Sequence, residues 1–195
     1  MVGQIGPLVQ VGRKKTALAI HVLGGIAGGA TIGLLLGFGG LLLRAALGDT
    51  LLNTIFVIVV PAALLYAASV DLGLMRLPHL TWVRQTPGSW PCSMGHYPGI
   101  FAWGFDLGLG VTTRIPYQST LVVPLAALLS GDLATAVAIT TVYGAARALA
   151  VVAAVQSVPG DDYSAACDAV QERVVPLKKL VGVTALVIAA LIVIS

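Results

Sequence analysis

The chain has 195 residues, of which 57% are apolar and 10% charged, and 11 Lys and Arg against 8 Asp and Glu give a formal net charge of +3. Soluble domains carry about 25% charged residues, so a water-soluble globular domain is excluded, and the few cations leave no basic stripe for a nucleic-acid backbone. A mean hydropathy of +0.95 and apolar runs of bilayer-crossing length predict an all-α, polytopic membrane helix bundle with no soluble catalytic domain between its spans.

Five spans are expected, at residues 16–47, 51–70, 99–130, 133–155 and 180–194, in a single integral membrane domain. A helix needs roughly 20 residues to cross the hydrocarbon core. The first and third runs exceed that, and must tilt, break or fold back. The first follows a short tail ending in Arg13, Lys14 and Lys15, lacks a small-residue cleavage pattern and reads as a retained span. Within it Gly25, Gly29, Gly33 and Gly37 recur every fourth residue beside Gly24 and Gly28. Such a column strips one helix face of side chains and lets another backbone approach. The fourth span offers a matching row in Ala136, Thr140, Gly144 and Ala148. His21 lies one turn before Gly25; a haem between two intramembrane histidines would need a second, and His79 and His96 belong to the following loop. Packing or an interfacial position is the plainer reading of His21.

That loop, from Asp71 to Pro98, carries Pro78, Pro87, Pro91 and Pro98 with Trp82 and Trp90, a composition suited to the headgroup level. Cys92, Met94 and His96 alternate within it. On an extended chain they share a face, and their soft donor set suits copper(I). Without a second cluster an ordinary interfacial loop accounts for them, and no metal or other cofactor is expected.

The third run is divided at Gly110-Val111-Thr112-Thr113-Arg114-Ile115-Pro116, because Pro116 lacks an N–H and disfavours helix at Ile115. The alternatives are one interrupted span or a hairpin of two half-spans. With five crossings and a cytoplasmic N-terminus, Arg13, Lys14, Lys15, Arg76, Arg84, Arg173, Lys178 and Lys179 all face the cytoplasm, and Arg44 faces outside. The positive-inside tendency selects that topology, with an external C-terminus. Cys92 and Cys167 then both lie on the reducing side, where a disulfide is not expected. Cys167 falls within residues 164–175, a candidate short surface helix after Pro159-Gly160-Asp161-Asp162.

Three charges interrupt apolar segments: Asp106, Arg114 and Arg147. Each costs about 2.5–3.5 kcal/mol near a helix centre, and so needs partners or water. Asp106 with Arg147 on the neighbouring helix is the simplest pair. Thr112, Thr113 and Arg114 can donate to carbonyls freed by the interruption. These five residues either lock helices together or form a site for an anionic or polar solute, with Asp106 as counter-ion or proton site.

From Phe101 onward the chain resembles the second half of the CcdA/DsbD membrane domain, which carries reductant for cytochrome c biogenesis. The residues that carry the resemblance are Phe101-Ala102-Trp103-Gly104-Phe105-Asp106-Leu107-Gly108-Leu109-Gly110, then Thr112-Thr113-Arg114-Ile115-Pro116, the helix through Tyr143-Gly144, and Leu177-Lys178-Lys179-Leu180-Val181-Gly182-Val183. In that family an interrupted helix bears a Pro-Cys motif. Here Arg114 stands where the second active cysteine falls, and the family's first helix has no counterpart. The resemblance implies shared architecture without thiol chemistry, since a dithiol relay needs two neighbouring thiols.

The expected function is a transporter or accessory protein of this type in a bacterial cytoplasmic membrane. The alternative is a non-catalytic subunit whose glycine face receives another membrane protein's helix or a second copy of the chain. The expected partners are the lipid bilayer and such a helix, and no nucleic acid is expected.

Overall fold

The computed structural model describes residues 14–75, 90–110, 117–156 and 178–192, and all regular structure among them is helical. In chain order the helices are α1 (Lys14–Leu47), α2 (Asp49–Asp71), the single turn α3 (Trp90–Ser93), α4 (His96–Leu109), α5 (Val122–Leu129) and α6 (Leu133–Gln156); a 3-10 turn at Gln118–Leu121 leads into α5. Residues 178–192 form α7. Among the described residues three helices, α1, α2 and α6, are long and apolar enough to cross a membrane, and Gln118–Leu129 is a shorter apolar helix.

The 34 residues of α1 extend about 50 Å at 1.5 Å per residue, against a hydrocarbon core of about 30 Å. The helix neither breaks nor folds back, and its glycines stay helical. A single residue, Gly48 at φ 78°, separates α1 from α2. Its N–H bonds the Arg44 carbonyl at 2.9 Å, and its left-handed backbone suits a residue without Cβ. Across this turn Arg44 pairs with Asp49, placing a cation at the C-terminal end of one helix and an anion at the N-terminal end of the next. In the third apolar run α4 stops at Gly110, φ 71°, and helical structure resumes at Gln118 after an extended Tyr117.

Two compact units divide the chain. Among the described residues the first comprises residues 14–31 of α1, α3, α4 and residues 141–156 of α6. The second comprises residues 32–47 of α1, α2, Gln118–Leu129, residues 133–140 of α6, and α7.

In the first unit three backbones converge on glycine. A Cβ on Gly108 would lie 2.9 Å from Gly25 Cα; one on Gly144 would lie 3.2 Å from Gly29 Cα and 3.3 Å from Gly108 Cα. α1 thus presents two bare faces. Gly24 and Gly28 meet the α4 backbone at Phe101, Phe105 and Leu109, while Gly25 and Gly29 meet Gly144 and Ala148 of α6. The order of contacts makes α4 parallel to α1 (His21 with Gly104, Gly25 with Gly108). Beyond the glycines, Ala17, Ile100 and Trp103 pack with Ile20 and Val151, and Leu18 packs with Val155. Small residues here let the backbones themselves meet, the arrangement that small-residue rows permit where helices associate in lipid.

In the second unit the glycine column continues. A Cβ on Gly33 would lie 2.7 Å from Val137 Cα, and one on Gly37 3.1 Å from Leu133 Cα. α6 therefore runs antiparallel to α1, and the whole column is covered from within the chain. Leu52, Val60, Leu64, Ala67 and Ala68 of α2 pack against Val122 and Leu129 of α5 and against Ala185 and Ala189 of α7. Gly182 brings α7 onto Leu72. At the start of α6 the Thr135 N–H donates to Asp132 Oδ2 at 2.7 Å, which satisfies one of the helix's free donors. Hydrogen bonds from Thr135 hold the Asp132 carboxyl below the usual carboxylate range.

Candidate functional site

Both edges of the interrupted third run are described, each inside its own unit. At the end of α4 the last carbonyls lack helical donors and carry the negative end of the helix dipole. Arg147 of α6 answers this by donating from Nη1 to the Leu107 carbonyl at 2.9 Å, to which the Gly110 N–H also bonds at 3.3 Å. The guanidinium carbon lies 5.6 Å from the ring centre of Tyr143, one turn earlier on α6. Gly110 leaves room for this: a Cβ there would stand 2.8 Å from Tyr143 Cε1.

Where the helix resumes, the free groups are N–H donors and the dipole end is positive. Asp71, at the end of α2, supplies the opposite charge. Its carboxylate accepts the Gln118 N–H on Oδ1 at 2.9 Å, and on Oδ2 the Ser119 N–H at 2.9 Å and the Ser119 hydroxyl at 2.7 Å. Asp71 is only 3% exposed. Among the described residues its three donors are all neutral, and hydrogen bonds of this kind to a charged acceptor offset the cost of burying it.

Comparison with known proteins finds no matching family, and no curated protein or solved structure is similar to this chain. The reading of the site therefore rests on its own chemistry.

Of the residues singled out in the sequence, Arg147 and Asp106 are described and lie close in the first unit, since the Arg147 bond reaches Leu107, the residue after Asp106. Asp106 is partly buried and has interactions of its own. Thr112, Thr113 and Arg114 lie outside the described residues, as do Cys167 and the side chain of Cys92. Met94 is exposed, and His96 stands edge-on to Tyr97 with ring centres 5.4 Å apart. No group of three or more potential metal ligands assembles among the described residues. Arg44 closes a corner of the second unit, with Asp49 on one side and the Gly131 carbonyl at 3.4 Å on the other. His21 is fully buried against Trp103, ring centres 4.7 Å apart. The Ile100 backbone lies near it, yet neither ring nitrogen makes a hydrogen bond of ordinary geometry.

Two features escaped the sequence reading. Asp71 looks like the first residue of a polar loop, and its partners lie more than forty residues away. Gly104 and Gly108 form a second row spaced by four, a signal that was available in the chain.

Proposed function

We propose that the chain is an integral membrane protein that crosses the bilayer five times, N-terminus cytoplasmic and C-terminus external, with its third crossing interrupted. On this reading α4 and Gln118–Leu129 are the two halves of that crossing. It acts as a transporter or accessory protein of the CcdA/DsbD type, with a polar site at the interruption built from Asp106, Thr112, Thr113, Arg114 and Arg147, and without thiol chemistry. The observation that carries the reading is the Arg147 bond to the Leu107 carbonyl beside a left-handed Gly110. Helix ends survive at membrane depth only where protein groups or a wet cavity satisfy them, and broken helices of this kind hold the substrate sites of secondary transporters. With one guanidinium bond of Arg147 committed to Leu107, Arg114 and the two threonines are the groups assigned to the solute.

Reconstituted vesicles test this. Solute-dependent flux by the purified chain, abolished by Arg114→Ala while the protein stays assembled, is the expected result. Stoichiometric co-purification with another membrane protein and no flux alone would favour the subunit reading. Such a partner would have to dock away from the glycine column, which α6 already fills. A reporter fused after Ser195 that reads cytoplasmic would overturn the five-crossing topology.

A further inference from the structure

We propose that Asp71 and Arg147 are positioning residues that fix the two edges of the interruption independently, each closing a helix end with the opposite charge. The signs are matched at both places: a guanidinium on a carbonyl of the last turn, a carboxylate on freed N–H groups. The two anchors come from different helices and act in different units, α6 upon α4 in the first and α2 upon Gln118–Leu129 in the second. Each half of the broken span thus takes its register from a separate neighbour. On this account Arg147 serves by holding α4 rather than by meeting solute, and Asp71 holds the start of Gln118–Leu129 within its own unit. The inference rests on the proposed membrane placement in one respect: away from water, a lost cap is not replaced by solvent.

Hydrogen exchange of the full chain in lipid nanodiscs, read by mass spectrometry, tests the independence. In Asp71→Asn one carbonyl oxygen must serve three donors, and the amide nitrogen is turned toward at least one of them. Exchange at residues 118–121 should accelerate about tenfold or more, with residues 108–110 unchanged. Arg147→Met should do the converse, and Arg147→Lys, which keeps a cation and a donor, should restore part of the protection. If Asp71→Asn fails to fold, Ser119→Ala removes a single donor and should give a smaller acceleration at the same amides. Acceleration of both edges by either substitution, or of neither, overturns the proposal. Because no solute enters the measurement, independent edges in a chain that carries no flux would remove the transport reading alone.

Discussion

Replacing Gly108 by Ala should lower stability and replacing Gly39 by Ala should not, although both residues lie in helices and both changes add one methyl. Alanine favours an isolated helix over glycine by up to about 1 kcal/mol, so neither substitution is penalised by local structure. At Gly108 the new Cβ would lie 2.9 Å from both Gly25 Cα and Gly25 C, with the Gly25 carbonyl oxygen nearer still. Those are backbone atoms and have no rotamer to change. α4 must back away from α1, and a gap of about 0.5 Å already forfeits a quarter of each dispersive contact. Overpacking of this sort costs about 1–3 kcal/mol, leaving a net loss of up to about 2 kcal/mol after a helix gain of about 1 kcal/mol. At Gly39 the added Cβ would meet only Leu128 Cδ1, at 3.0 Å. A leucine methyl can swing aside, so Gly39→Ala should be neutral or slightly stabilising. Titration with sodium dodecyl sulfate in mixed micelles, followed by circular dichroism, gives both values. Gly108→Ala unfolding at the wild-type midpoint, or Gly39→Ala losing more than Gly108→Ala, would refute the account of three backbones in contact.

Other outcomes follow from single residues. His21→Phe should leave thermal stability unchanged or raise it, because it removes two buried nitrogens without ordinary hydrogen bonds; His21→Ala should lower it by about 2–4 kcal/mol through the cavity left against Trp103. Both are measured as melting temperatures in detergent. The Asp132 carboxyl is held below its unfolded value by Thr135, so its contribution is present above the unfolded pKa and is lost as pH falls through the folded one. Asp132→Asn should therefore flatten the acid limb of stability against pH and leave neutral stability less affected by acidification. Gly131→Ala should destabilise the turn between α5 and α6, since Gly131 has φ 62° and a Cβ would stand 2.7 Å from Leu52 Cδ2; a wild-type unfolding midpoint in Gly131→Ala would contradict this.

Spacing made part of this architecture legible before any coordinates. Residues four apart on a helix share a face, and so the rows Gly25 to Gly37 and Ala136 to Ala148 could be set against each other from sequence alone. Run lengths located α1, α2 and α6 to within two residues at either end. A break in the third run was expected from Pro116, which lies outside the described residues; the described edges are the left-handed Gly110 and the extended Tyr117. Asp71 was not readable, since nothing near it in sequence needs a cap and its partners come from another segment. Nor did composition mark the boundary between the two units: α1 and α6 pass through both, so no linker or shift in residue type separates them. The second glycine face, Gly24 and Gly28 against Gly104 and Gly108, was hidden by the longer column beside it.

The glycine faces of α1 have a consequence for how the protein is made. Gly144, which covers Gly25, leaves the ribosome more than a hundred residues later, a delay on the order of ten seconds at about 5–20 residues per second. On the proposed membrane placement, the first helix spends that interval in the bilayer with its most adhesive surface open. Nascent chains stalled before α6 should cross-link promiscuously to other helices, or to an insertion factor that shields them, until the late partner arrives.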